Sequence, residues 1–391
     1  MPPVHRTPRA VALALLVASA AFSCASPKPA TPPPARPAIQ LPVEPPAPPT
    51  KPAPVVTLPL ATAPATVPEP APPKAGPALT LLLPLDAPEF KGAAEALRQG
   101  FIAAMETEGR KLEVVVRRTD ATDESVLAGY EAEIESGTRL VVGPMTRSGV
   151  SALVRSKRIS VPTLALNQPE GSPALPSSLF VFGLAVEIEA RQIARRAWAD
   201  TMRSAAVVGA ATPLSRRSRD AFVDEWLLVG GTVTDVIEVP STAELVLVRE
   251  ALERKPPQFV FLAEAGERAR LLRPYLGSQT PIYATSQVNT SADPLRNLDL
   301  NGVQFADMPW LVRPQDPAVT RYPRPAGLDG DLARFYALGI DAYRIAALLL
   351  DGQRTFEFAG VTGQIVVQGG GLVQRRLVAV VFRDGRVVAL E

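Results

Sequence analysis

The sequence has one cysteine, Cys24, and one histidine, His5, in 391 residues. A lone cysteine closes no internal disulfide, and one thiol is a poor start for a metal site. A cut between Ser23 and Cys24 would remove His5 and leave no histidine at all. Ser-His-Asp, Cys-His and His-metal chemistry then fall away together, and only carboxylate or lysine catalysis survives. Neither G-x-G-x-x-G nor G-x-x-x-x-G-K-[ST] occurs, so no nucleotide cofactor is expected. No run of about 18 uncharged apolar residues follows the first 24 residues, which predicts no transmembrane segment there. Excess charge is also missing. Removal of residues 1–23 takes Arg6 and Arg9 and no acid, leaving 39 basic and 39 acidic residues. That balance makes no electrostatic case for nucleic acid.

What is present begins with His5, Arg6 and Arg9 ahead of the apolar stretch Ala10 to Phe22. A basic start with a short apolar run reads as a signal peptide over 1–23. It ends in Ala21-Phe22-Ser23-Cys24, which resembles a bacterial lipobox with Cys24 as the lipid anchor. Leucine is usual where Ala21 stands, and a small residue where Phe22 stands. An ordinary cut near Ala18-Ser19-Ala20, leaving a free thiol, is the alternative. Two or more acyl chains would hold the protein on a membrane stably. Ala25 follows, a position where residues other than aspartate favour export to the outer membrane in such lipoproteins.

Residues 24–77 read as the lipidated cysteine and a disordered linker. From Pro27 to Pro77, 20 of 51 residues are proline. This composition cannot pack a core and favours stiff polyproline II. At ~3.1 Å per residue it would reach on the order of 150 Å. A tether is expected, with a ligand for proline-binding modules as the rival reading.

At Ala78 the pattern changes. "ALTLLLPL", "KLEVVVR", "RLVVG" and "PTLALN" read as strands, with helices over Gly92 to Glu108, Asp123 to Ser136 and from about Ser148. A second run follows with strands "SAAVVGA", "TVTDVIEV", "QFVFLAE" and "PIYATS" between helices. This alternation predicts an α/β fold with parallel sheets and right-handed crossovers. Two lobes are expected in residues 78–391: about 78–183 with 307–350, and about 184–306 with 351–391. The end reads as β-hairpins, with Asp384-Gly385 as a turn. A cleft is expected at the carboxyl ends of the strands.

Candidate cleft residues follow. Ser148 after Gly143-Pro144 suits a helix N-cap, and the free N–H groups there could receive a carboxylate. Asn167 and Ser286 end strands, facing the cleft or satisfying local turns. Asp307 and Trp310 lie near a lobe crossing; Trp310 would stack on a ligand or close the hinge core. Arg216, Arg217 and Arg219 start a helix, where basic residues oppose the dipole, which hints at an acidic partner or a solvated face. The long loop from Arg313 to Gly330 carries Arg321 and Tyr322 as further partner-facing candidates.

Several stretches together, among them "LVVGPMTRSGVSALV", "PIYATSQVN" and "LNGVQFADMPWLV", resemble the LppC/LpoA lipoproteins, the penicillin-binding protein activators, over about Ala78 to Glu391. The resemblance implies a type I periplasmic-binding-protein fold. It further implies a non-enzymatic outer-membrane lipoprotein, without cofactor or metal, that docks on a class A penicillin-binding protein and stimulates peptidoglycan cross-linking. Longer members carry an N-terminal helical-repeat domain, where this chain has the proline tract. The competing expectations are a solute-binding lipoprotein of an amino-acid-type importer, with a small ligand in the cleft, and a carboxylate-based cell-wall hydrolase.

Overall fold

The computed structural model describes residues 76–390 apart from 172, 240, 329, 369 and 370. The signal peptide, Cys24 and nearly all of the proline tract lie outside the described residues. The first lobe opens on Leu79–Leu83 (β1), buried at all five positions. A parallel strand covered on both faces by helices needs such an unbroken apolar run. Pro88–Glu108 (α1) starts on a proline and ends at Gly109, whose φ of 68° gives the left-handed cap. Val114–Arg118 (β2), Asp123–Glu135 (α2), Val141–Val142 (β3), Arg147–Ser156 (α3), Thr163–Ala165 (β4) and Leu179–Val181 (β5) follow. The five strands form one parallel sheet in the order β2-β1-β3-β4-β5.

The chain then crosses into the second lobe. Its elements are Val186–Ala199 (α4), Ser204–Gly209 (β6), Pro213–Leu228 (α5), Thr232–Glu238 (β7), Leu245–Arg254 (α6), Phe259–Ala263 (β8), Gly266–Leu272 (α7), Ile282–Ala284 (β9) and Val303–Asp307 (β10). Pro309–Val312 (α8), Pro317–Thr320 (α9) and Gly330–Leu350 (α10) lead back. Thr355–Ala359 (β11), Gln364–Gln368 (β12) and Gln374–Arg376 (β13) form a small antiparallel sheet. Val378–Arg383 (β14) and Arg386–Ala389 (β15) complete the second large sheet, in the order β15-β14-β10-β9-β8-β6-β7. β14 and β15 are its antiparallel edge.

Each lobe has its own core. In the second, Phe222 stacks on Phe261 with ring centroids 4.0 Å apart, and Trp226 meets Phe259 edge-on at 5.1 Å. In the first, α1 and α10 cross so closely that a Cβ on Gly100 would lie 1.9 Å from the Tyr336 carbonyl oxygen. One on Gly339 would lie 2.0 Å from the Leu97 carbonyl oxygen. Two glycines, one from each helix, permit this backbone-to-backbone approach.

The lobe boundary differs from the expected one. Val361, Ile365, Val367 and Val373 pack in the same core as β1, α1 and α10. The small sheet therefore belongs to the first lobe, and only β14 and β15 join the second. An isolated bridge between Val181 and Leu372 ties this segment to β5. The long loop is also less bare than expected, because Val319 and Tyr322 sink into the first core.

Candidate functional site: the seam between the lobes

The strand tips of the second lobe meet α10 and β13 of the first in a buried polar seam. Asp307 closes β10 and is 1% exposed. Its carboxylate accepts from Arg334 Nη2 at 2.8 Å, Asn289 Nδ2 at 2.9 Å and the Met308 N–H at 2.8 Å. Arg334, at the start of α10, also donates to the Ser286 and Asn289 carbonyls at 3.2 Å each. Ser286, just past β9, donates to Glu189 Oε2 from its hydroxyl at 2.7 Å and its N–H at 3.1 Å. Glu189 Oε1 accepts from Arg375 Nη2 of β13 at 3.1 Å.

Burial pushes the Glu189 carboxyl upward, and the Arg375 guanidinium and Ser286 hydroxyl oppose this. Nearby, Asp341 of α10 is fully buried and accepts from Thr362 N–H and hydroxyl at 2.7 Å each and from Val361 N–H at 3.1 Å. A third link across the lobes runs from Arg147 of α3 to Glu187 of α4 at 2.8 Å. Arg217 of α5 reaches the same oxygen at 3.1 Å. Both oxygens of Asp307, Glu189 and Asp341 already accept hydrogen bonds. The seam is thus built to hold two lobes together, and its buried charges are paired as their desolvation requires.

The structure joins two sequence candidates, Ser286 and Asp307, at the centre of this seam, brings Arg217 to its Glu187 link, and distributes the others elsewhere. Ser148 is exposed and is not the cap of α3. Thr146 takes that role two residues earlier, its hydroxyl accepting from the Gly149 N–H at 3.2 Å. Asn167 satisfies its own turn, donating to the Met145 carbonyl at 3.1 Å and accepting from the Gln168 N–H at 2.9 Å. Trp310 is 2% exposed in the first core, with the Tyr336 ring at 5.4 Å and the Arg324 guanidinium at 4.0 Å.

Among the arginines of α5, Arg219 is buried rather than partner-facing. It grips Glu238 at 2.5 Å, and exposed Arg216 holds the same carboxylate at 2.9 Å. Hydrogen bonds from both guanidiniums pull Glu238 down to about 2. Arg321 remains half-exposed and pairs with Glu108 at 3.2 Å. Tyr322 is buried and donates to that glutamate at 2.6 Å.

Glu189, Arg334 and Arg375 were not among the sequence candidates. Glu189 had a signal, since it sits in the apolar stripe of α4 with Val186, Ala190, Ile193 and Ala197. A charge at that place must find a partner. Arg334 and Asp341 break the stripe of α10 in the same way. Arg375, in the strand "QRR", carried no comparable mark.

A smaller cavity of about 140 Å³ opens beside the tips of β8 and β9, lined by Thr212, Ser215, Ser218, Glu264, Arg268 and Thr285 among others. Burial raises the Glu264 carboxyl, opposed by the Arg268 guanidinium. Among the described residues no group of three or more His, Cys, Asp or Glu side chains could hold a metal ion, and no helix is long and apolar enough to cross a membrane.

The family model described as "LppC putative lipoprotein" matches residues 77–248 and 242–385. "Penicillin-binding protein activator LpoA" of Photobacterium profundum is 26% identical over 80% of this chain and 57% of its own length. The chain spans about half the length of the curated relatives it matches. The solved "LpoA (YraM) C-domain from Haemophilus influenzae, a regulator of PBP1A" superposes with a TM-score of 0.67, at 23% identity, over 80% of this chain and 99% of that one. A "putative branched-chain amino acid ABC transporter" of Chromobacterium violaceum superposes with a TM-score of 0.64, at 34% identity, over 78% and 99%. These likenesses establish the periplasmic-binding-protein-like fold. Two parallel-sheet lobes joined by a buried seam, matched by the family model over nearly every described residue, place this chain in the LppC lipoprotein family.

Proposed function

We propose that the chain is an outer-membrane lipoprotein, anchored through Cys24, that binds a class A penicillin-binding protein and stimulates peptidoglycan cross-linking. The observation that carries this reading is the closed seam. A binding protein of this fold that captures a solute keeps polar groups at its strand tips free to meet it. Here Ser286 and Asp307 are taken by Glu189, Arg334 and Asn289. A module clamped in this way acts through its outer surface, as a docking body acts on an enzyme. The names of the relatives support the same reading, and the proline tract supplies reach from a membrane. The test is the full chain mixed with a purified class A synthase. Binding with faster formation of cross-linked peptides is expected, and the absence of both effects would remove the reading.

The solute-binding alternative has two specific supports, the 34% identity to the Chromobacterium violaceum protein and the 140 Å³ cavity. Thermal shift with leucine, isoleucine and valine separates the readings. The docking reading expects no shift, whereas a ligand bound at about 100 times its Kd adds about 2.7 kcal/mol and several degrees.

A further inference from the structure

Away from the seam, α10 and β11 stand apart and leave a groove of about 400 Å³. Phe356 and Phe358 of β11 line one wall, and Tyr343, Arg344 and Ala347 of α10 the other. Tyr343 is 1% exposed, and its hydroxyl has no hydrogen-bond partner among the described residues. A buried hydroxyl left unpaired is costly, which marks a place where a donor or acceptor is missing.

The strand wall is also incomplete. Among the described residues β11 pairs with β12 only. The Gly360 N–H donates to the Gly363 carbonyl at 2.9 Å. By antiparallel alternation, Phe358 and Phe356 then aim their backbone groups at β12. Thr355, Glu357 and Ala359 aim theirs outward. Arg344 Nη1, reaching the Ala359 carbonyl at 2.9 Å from α10, agrees with that direction.

The rim has spare negative charge. Arg110 is fully engaged with Asp351, at 2.8 and 2.7 Å. Arg344 lies 4.1 Å over the Phe358 ring and 3.5 Å from Asp341. Among the described residues exposed Glu357 meets only the Gln364 side-chain amide, at 3.0 Å.

The geometry points to this groove as the docking site for an extended peptide strand of the partner protein. The strand adds beside β11 as a fourth strand and satisfies the outward backbone groups of Thr355 and Glu357. It sets an apolar side chain between Phe356, Phe358 and the Tyr343 ring, and a basic side chain against Glu357. Such a segment is free of proline where its N–H groups face β11. That disfavours the chain's own tract, 20 of whose 51 residues from 27 to 77 are proline. The identity of the protein that carries the strand rests on the activator reading.

The test is amide hydrogen exchange of the full chain with and without a purified class A synthase, joined to binding by two variants. Glu357→Pro removes an outward N–H and no bond to β12, so it folds and weakens binding roughly tenfold or more. Glu357→Lys, a fold-neutral surface change, weakens binding more at low salt than at high. Protection of the 355, 357 and 359 amides gained in the complex, with both effects, is the expected result. Synthase bound with those amides unprotected and both variants unaffected overturns this site and leaves the activator reading standing. No synthase binding at all removes both.

Discussion

Replacing Glu189 by alanine removes both carboxylate oxygens from the seam. The pair it forms with Arg375 is 5% and 2% exposed at the side chains. In the Glu189→Ala variant the Arg375 guanidinium keeps, among the described residues, only the Thr362 carbonyl at 3.3 Å as a close acceptor. Its Nε has no partner among the described residues even in the native protein. Stranding a buried charge in this way costs about 3–5 kcal/mol. Over about 300 ordered residues, at about 2.1 cal/mol/K each, the unfolding entropy is about 0.6 kcal/mol/K, so the midpoint falls by about 5–8 °C. Calorimetry reads this directly. The double variant Glu189→Ala, Arg375→Met removes the stranded charge and recovers part of the loss.

A pH signature accompanies it. The raised Glu189 carboxyl keeps its proton in the folded state above the ordinary value of 4.5. Its protonated form contributes stability that is complete below 4.5 and is lost as pH rises through the raised folded value. Alanine abolishes that slope. A single-variant midpoint within about 1 °C of the parent, or a double variant less stable than the single one, refutes the claim that the seam holds the lobes together.

Other outcomes follow from the same contacts. Glu238, held at about 2 by Arg216 and Arg219, contributes stability that is present above 4.5 and is lost as pH falls from there toward 2. Glu238→Gln flattens this acid limb in midpoint-against-pH scans. Gly100→Ala places a Cβ 1.9 Å from the Tyr336 carbonyl oxygen and forces α1 and α10 apart. Overpacking of this kind costs about 1–3 kcal/mol or more, read by urea unfolding. Trp310→Ala empties part of the first core at a cost of about 3–5 kcal/mol, read the same way. Cells expressing the full chain incorporate labelled palmitate and Cys24→Ala abolishes the label; an unlabelled parent would make Ala18-Ser19-Ala20 the processing site.

The fold was legible where a strand is an unbroken apolar run, as in Leu79–Leu83 and Phe259–Ala263, because both faces of a parallel sheet are covered. It was less so where strands are short or mixed. Leu179–Val181 spans three residues beside a loop, and Gln374–Arg376 is polar at every position. Thr355–Ala359 alternates exposed and half-buried residues, and its place as a sheet edge depends on distant partners. The same dependence explains the site. Ser286 and Asp307 announce themselves as strand ends. Their real partners lie 97 residues earlier, at Glu189, and 27 residues later, at Arg334. Local signals misled at Ser148, where Thr146 two residues upstream offers the same hydroxyl to the helix end.

The most direct measurement is the rate of peptidoglycan cross-linking by a purified class A synthase, with and without the full chain, in the presence and absence of branched-chain amino acids. The account predicts stimulation by the chain that these amino acids leave unchanged, and no thermal shift of the chain by any of them. No stimulation, together with a midpoint raised by leucine, isoleucine or valine, would contradict it and make the chain a solute-binding protein.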